Sequence, residues 1–244
     1  MRRIVAAGLL LAGSLWPVAA LAGPPFETDD PQPTDTGHWE IYGFAATEGV
    51  GVENQTRTGF DLNYGPLPDV QLTATLPLEF DRDDQGQTTR GVGDVELGVK
   101  LRLLHQDKGG IDLAIFPRAI LPSSGHRFGS GKVAALLPVW AQRDFGSWSV
   151  FGGGGYAINP GAGNRDYWSG GIAVTHDVTS NILLGIEAQR QGSDTQGGVG
   201  STLLGLGGIV KLGEPFSLLF AGGPRLPDHG TVAYHGYAAI GVNF

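Results

Sequence analysis

Six histidines (His38, His105, His126, His176, His229 and His235) are the residues of this chain best suited to metal or acid–base chemistry. None stands in a His-x-His or His-x-x-x-His pair, the spacing that aims two imidazoles at one ion. His126 shares a polar stretch with Ser123, Ser124 and Ser130, and His229 follows Asp228. Both stretches read as loops, where such side chains are ordinarily solvated. Ser169 is followed by Gly170 and Gly171, but no Gly-x-Ser-x-Gly elbow occurs, and that elbow also needs a strand-to-helix turn. There is no cysteine, so thiol catalysis, a lipoprotein anchor and a disulfide framework are all excluded. The glycine runs at 152–155 and 91–93 open no helix and so lack the N-terminus that would hold a phosphate. The expectation is a protein without catalytic, metal or cofactor chemistry. The competing reading is a lipid-modifying hydrolase with His176 at lipid level.

A second group of polar residues has a different spacing. Between Asp94 and Leu104, Val95, Leu97, Val99, Leu101 and Leu103 form one face, and Asp94, Glu96, Gly98, Lys100 and Arg102 form the other. A helix would scatter these residues around its axis, so the period is two and the element is a strand. Val70 to Phe80 and Ile182 to Gln189 alternate in the same way. One face of each strand is apolar. The opposite faces of these and the remaining strand-like segments together carry Asp61, Glu79, Asp94, Glu96, Lys100, Arg102, Asp112, Arg118, Glu187, Gln189 and Lys211. In a barrel surrounded by lipid these groups must point inward, because a charge facing hydrocarbon is costly. They are expected to line a lumen and set solute binding or selectivity, or else to neutralise one another in a narrow, plugged barrel.

The elements that would hold them read as an all-β fold. Strand-like segments run over His38 to Thr47, Arg57 to Tyr64, Val70 to Phe80, Asp94 to Leu104, Ile111 to Leu121 and Lys132 to Arg143. They continue over Trp148 to Ile158, Tyr167 to His176, Ile182 to Gln189, Ser201 to Leu212, Phe216 to Gly223 and Val232 to Phe244. That makes an antiparallel transmembrane β-barrel of about 12 strands, with 10 or 14 as alternatives. Short and long connections alternate from the second strand onward, as periplasmic turns and outer loops do. The first hairpin, Glu48 to Thr56, has vague bounds. Trp39, Tyr64, Trp148, Tyr167, Trp168 and Phe244 fall near segment ends, where an interfacial aromatic girdle belongs. Glycine, at 41 of 244 residues, fits strands that curve and approach closely.

Met1-Arg2-Arg3, an apolar run to Leu15 and Ala20-Leu21-Ala22 give residues 1–22 the form of a secretory signal peptide. Residues 23–37 are an irregular Pro- and Asp-rich segment, periplasmic or tucked into the barrel end, and 38–244 form the barrel. Removing Arg2 and Arg3 from 16 basic residues leaves 14 against 24 acidic ones, which excludes a nucleic-acid-binding face. The last strand places Tyr234, Gly236, Ala238, Ile240, Val242 and Phe244 on one face. Such a strand suits recognition by the barrel-assembly machinery after Sec-type export, and placement in a Gram-negative outer membrane. The expected partners are outer-membrane lipid and a small-molecule solute.

Pro24-Pro25-Phe26-Glu27-Thr28-Asp29-Asp30-Pro31-Gln32-Pro33, followed by His38-Trp39-Glu40-Ile41-Tyr42, resembles the mature start of a bacterial outer-membrane barrel family. That family is labelled a transporter or MetA-pathway phenol-degradation protein. Gly93-Asp94-Val95-Glu96-Leu97-Gly98-Val99-Lys100 resembles its most recognisable strand. The resemblance implies an outer-membrane barrel for passive passage or binding of a small, hydrophobic or aromatic solute. It carries over no catalytic motif.

Overall fold

The computed structural model describes residues 25–122, 128 and 131–244. The expected signal peptide lies outside the described residues, as do Ser123, Ser124, His126 and Ser130. The strands are Trp39–Val50 (β1), Glu53–Leu67 (β2), Val70–Arg82 (β3), Thr88–Val92 (β4), Val95–Leu104 (β5), Asp112–Ile115 (β6) and Arg118–Leu121 (β7). They continue as Ala134–Phe145 (β8), Trp148–Ile158 (β9), Tyr167–Thr179 (β10), Ile182–Gln191 (β11), Ser201–Gly213 (β12), Phe216–Pro227 (β13) and Ala233–Asn243 (β14). A single helical turn, Gln106–Gly109, follows β5.

β4 and β5 both pair with β3, so they are one barrel strand interrupted at 93–94. β6 and β7 both lie between β5 and β8 and are a second interrupted strand. The fourteen segments therefore fill twelve barrel positions, all antiparallel. β1 pairs with β14 from Glu40↔Asn243 to Gly49↔Tyr234, and this seam between the first and last strands closes the barrel. Ladder bonding of this kind gives backbone groups partners away from water, the condition for a sheet to cross a bilayer.

The period of two sorts the side chains as polarity requires. On β5, Leu97, Val99 and Leu103 are exposed on the outer surface while Lys100 is 1% exposed on the inner one. Leu72, Leu137, Val139, Ile172, Ile186 and Leu206 continue the outward apolar face around the barrel. A continuous apolar belt of this kind is far larger than the patches a water-soluble surface carries. Against hydrocarbon it costs nothing. Among the described residues no helix is long and apolar enough to cross a membrane, and the crossing is made by strands.

Both chain ends of the barrel sit at one rim, where Trp39 and Phe244 exchange backbone hydrogen bonds of 2.8 and 3.1 Å. At this rim β8 and β9 are joined through Gly146 and Ser147, and β10 and β11 through Ser180 and Asn181. Trp39 stacks on Tyr64 at 4.7 Å and Trp148 on His176 at 4.2 Å there. The opposite rim carries longer connections, such as residues 159–166 and 192–200. The structure gives the first hairpin, Glu48 to Thr56, definite bounds. β1 and β2 stay paired through Glu48↔Gln55 to Val50↔Glu53, and only Gly51 and Val52 turn. Gly51 has φ +63°, the left-handed conformation that a tight turn needs.

Candidate functional site: the lumen and the segment inside it

Residues 25–37 lie along the inside of the wall. Pro25, Pro31 and Pro33 carry no N–H and interrupt any ladder, so the segment does not become a strand. Its one bridge to the sheet is Thr36 beside Gly65. Its remaining polar backbone groups need partners from the wall. The Glu187 carboxylate accepts the N–H groups of Glu27 (3.3 Å) and Thr28 (3.0 Å). Gln71 Oε1 accepts the Thr34 N–H at 2.8 Å. Lys100 Nζ pairs with Asp29 at 3.0 Å and donates to the Asp30 carbonyl at 2.9 Å and the Gln32 carbonyl at 3.4 Å. Three donors on one buried ammonium find three oxygens, which is how a charge survives removal from water.

Glycines in the wall leave room for this segment. A Cβ on Gly171 would lie 2.2 Å from Thr28 Oγ1, and one on Gly185 would lie 2.9 Å from the Phe26 ring. At Gly65 a Cβ would meet the Asp35 carbonyl at 2.3 Å. Close approach, as much as curvature, explains these glycines.

The other residues singled out from sequence take up specific places. Arg102 pairs with Asp69 at 2.8 Å and donates to Gln32 of the segment. Asp112 accepts from Gln32 Nε2 at 3.0 Å and from the Gln106 N–H at 3.1 Å. Glu96 pairs with Arg118 at 3.0 Å, and Glu79 with Arg57 at 3.4 Å. Asp61 accepts from Thr75 at 3.3 Å. Asp94 is buried at the interruption between β4 and β5. Gln189 is 3.5 Å from an Arg225 nitrogen. Lys211 stands apart, near the rim that holds the chain ends, facing a separate cavity with Asp144 and Asp177. At that same rim lies the turn residue Asp69. Burial alone would raise its carboxyl, but hydrogen bonds from Arg102 and His105 outweigh this and hold it below the ordinary carboxylate range.

Sequence reasoning missed Arg225, Glu27 and Asp29. Arg225 lies just past Pro224, beyond the expected strand end at Gly223, and is buried between Glu27 and Glu48, its Nε 2.6 Å from Glu48. Glu27, Glu48 and His235 gather closely enough to suggest a cation site. The Arg225 guanidinium, which pairs with both carboxylates, already supplies the positive charge there. The clue available in the sequence was the acidic content of residues 27–35, which matches the cations of the inward face.

The segment divides the lumen. A cavity of ≈ 450 Å³ is lined by Phe44, Asp61, Glu96, Lys100, Arg118 and Tyr237. A second cavity of ≈ 230 Å³ lies on the side of Asp144, Thr175, Asp177 and Lys211. Pro25 and Phe26 border both. Serine and histidine do not meet in a hydrolytic arrangement among the described residues. Ser169 faces the larger cavity, while His176 is held at the rim by Trp148 and the Ser147 carbonyl.

No protein-family model matches the chain, and no curated protein matches it in sequence. Among solved structures it is similar to the outer membrane channel from Pseudomonas putida F1, with 13% identity over 91% of this chain and 100% of that chain, at TM-score 0.69. The β domain of the Bordetella autotransporter BrkA is 13% identical, covers 86% of this chain and 100% of that chain, and has TM-score 0.51. At such identities the likeness concerns the fold. The closed twelve-strand wall, apolar outside and polar inside, is that of a transmembrane β-barrel. The fold of this chain is similar to that of an outer-membrane channel.

Proposed function

We propose that this protein is a passive outer-membrane channel for small solutes, narrowed by its own N-terminal segment, and not an enzyme. The observation that carries this reading is the pair of lumen cavities, both bordered by Pro25 and Phe26 of a segment that belongs to no strand. Polar pairs, which can exchange with water, hold most of the segment in place. Asp61, Glu96, Lys100, Arg118 and Gln189 border the larger cavity and act as its selectivity residues. Phe44, Phe116, Trp140 and Tyr237 give the same cavity apolar surface, which suits a small hydrophobic or aromatic solute. The resemblance of residues 24–42 and 93–100 to phenol-pathway barrels supports that solute class. Exposed Ile240 and Phe244 on the closing strand suit recognition by the barrel-assembly machinery.

A second reading is a structural barrel whose lumen stays plugged, favoured by the number of wall residues that grip the segment. Single-channel recording of the refolded protein in a planar bilayer separates the two. Resolved openings are expected; a silent bilayer containing correctly folded protein supports the plugged barrel.

A further inference from the structure

The barrel wall is short of hydrogen bonds at Phe116 and Pro117. Phe116 and Pro117 lie between β6 and β7, and the register on either side sets Pro117 opposite Val99 and Phe116 opposite Pro138. Both pairs are of the hydrogen-bonded kind: Val99 donates to the Pro117 carbonyl at 3.1 Å, and Phe116 donates to the Pro138 carbonyl at 3.0 Å. Such a pair normally exchanges two bonds. Pro117 and Pro138 have no N–H, so neither return bond can form. Two adjacent ladders therefore hold these pairs by one bond each. Proline is ordinarily kept out of sheet interiors for this reason.

The same place is flanked by a cavity on each side. Inside, the Phe116 ring covers the wall and is 4% exposed, with Lys100 Nζ 5.0 Å and the Arg118 guanidinium 4.9 Å from its centre. A Cβ on neighbouring Gly98 would lie 2.8 Å from that ring, so the ring rests on bare backbone. Phe116 and Pro138 border the ≈ 450 Å³ lumen cavity. Outside, a groove of ≈ 750 Å³ is lined by Leu97, Val99, Pro117, Ala119, Ala135 and Leu137. Its floor is low because Ala74, Leu97, Ala119 and Ala135 stand side by side across the strands, three of the four being alanine.

We propose that apolar solute leaves the lumen sideways at this point, from the inner cavity past Phe116 into the outer groove and then into hydrocarbon. The proposal rests on the lumen being a solute path. The axial exit leads through a cavity bordered by Asp30, Gln142, Asp144, Thr175, Asp177 and Lys211, and returns the solute to water. The lateral exit keeps apolar surface out of water throughout. Ions and polar solutes keep the axial route. Opening requires Phe116 to swing from between Lys100 and Arg118, and the two single bonds at Val99 and Phe116 to part.

The chain has no cysteine, so an engineered pair can staple the wall cleanly. Pro117→Cys with Leu137→Cys forms a non-hydrogen-bonded pair on the outer face, whose Cα separation of ~4.5 Å suits a disulfide. Cells carrying this variant are assayed for uptake of radiolabelled naphthalene, and the purified barrel for single-channel conductance, before and after reduction. Oxidation should lower uptake severalfold, reduction should restore it, and conductance should not change. Unchanged uptake with the disulfide fully formed overturns the lateral exit. Pro138→Ala is a second probe that needs no crosslink. Its restored N–H adds one bond to Phe116, worth about fivefold in the closing equilibrium, and should slow uptake in proportion. A Pro138→Ala barrel that takes up naphthalene at the parent rate also counts against the proposal. If the parent takes up naphthalene no faster than cells lacking the protein, the passage reading itself fails. A conducting parent barrel would then confine the failure to apolar solutes.

Discussion

Lys100 is the side chain on which the N-terminal segment hangs. Its ammonium is 1% exposed, and its oxygens come from Asp29, Asp30 and Gln32. Lys100→Met keeps much of the volume but leaves Asp29 without its cation. Breaking a buried pair costs ~3–5 kcal/mol, and the partial exposure of Asp29 places this case toward the lower end. The expected outcome is a lower thermal transition together with a larger single-channel conductance as the segment loosens. Reduced stability at unchanged conductance would show that the segment stays in place without this contact. The inward direction of Lys100 could be read from the alternation of β5. Its partners could not, because Asp29 is distant in sequence and lies in a segment with no periodicity. The same holds for Arg225, because Pro224 cuts the sequence pattern of its strand off at Gly223.

At the scale of elements, strand against segment is the decisive packing. Gly171 of β10 faces inward, and a Cβ there would press on Thr28 Oγ1 at 2.2 Å and the Ala188 carbonyl at 3.0 Å. Gly171→Val should therefore push residues 26–30 off the wall, seen as a raised open-channel current with the barrel still folded. An unaltered current from this variant would mean that the segment tolerates displacement without widening the path. The strands themselves were legible from apolar–polar alternation, which persists wherever one face meets lipid. That signal fades at the first hairpin: residues 48–56 mix Glu48, Glu53, Asn54, Gln55 and Thr56 with two glycines and two valines in no clean alternation, which leaves its bounds vague in the sequence although the strands stay paired up to Gly51 and Val52. The interruption at Phe116 and Pro117 was also hidden. Phe116 and Pro117 suit a strand's alternation, and only the hydrogen-bond pattern separates β6 from β7.

For the whole molecule, closure is the source of stability. With its first and last strands paired and most of its ladder bonds made within the sheet, the barrel should survive detergent at room temperature. Unboiled protein is expected to migrate differently from boiled protein on a detergent gel; identical migration would contradict a closed barrel. The pairing of β1 with β14 has a further consequence, for the order of events in assembly. The segment is covalently continuous with β1, yet Glu187 and Arg225, which grip it, come from β11 and β13. Those strands are distant in sequence and so among the costliest contacts to reach. The segment reaches those partners most directly before the seam zips, while the wall is still an open sheet. Chains whose seam closes first would be stranded with an empty bore, in a population that does not anneal to the native one short of reopening the seam.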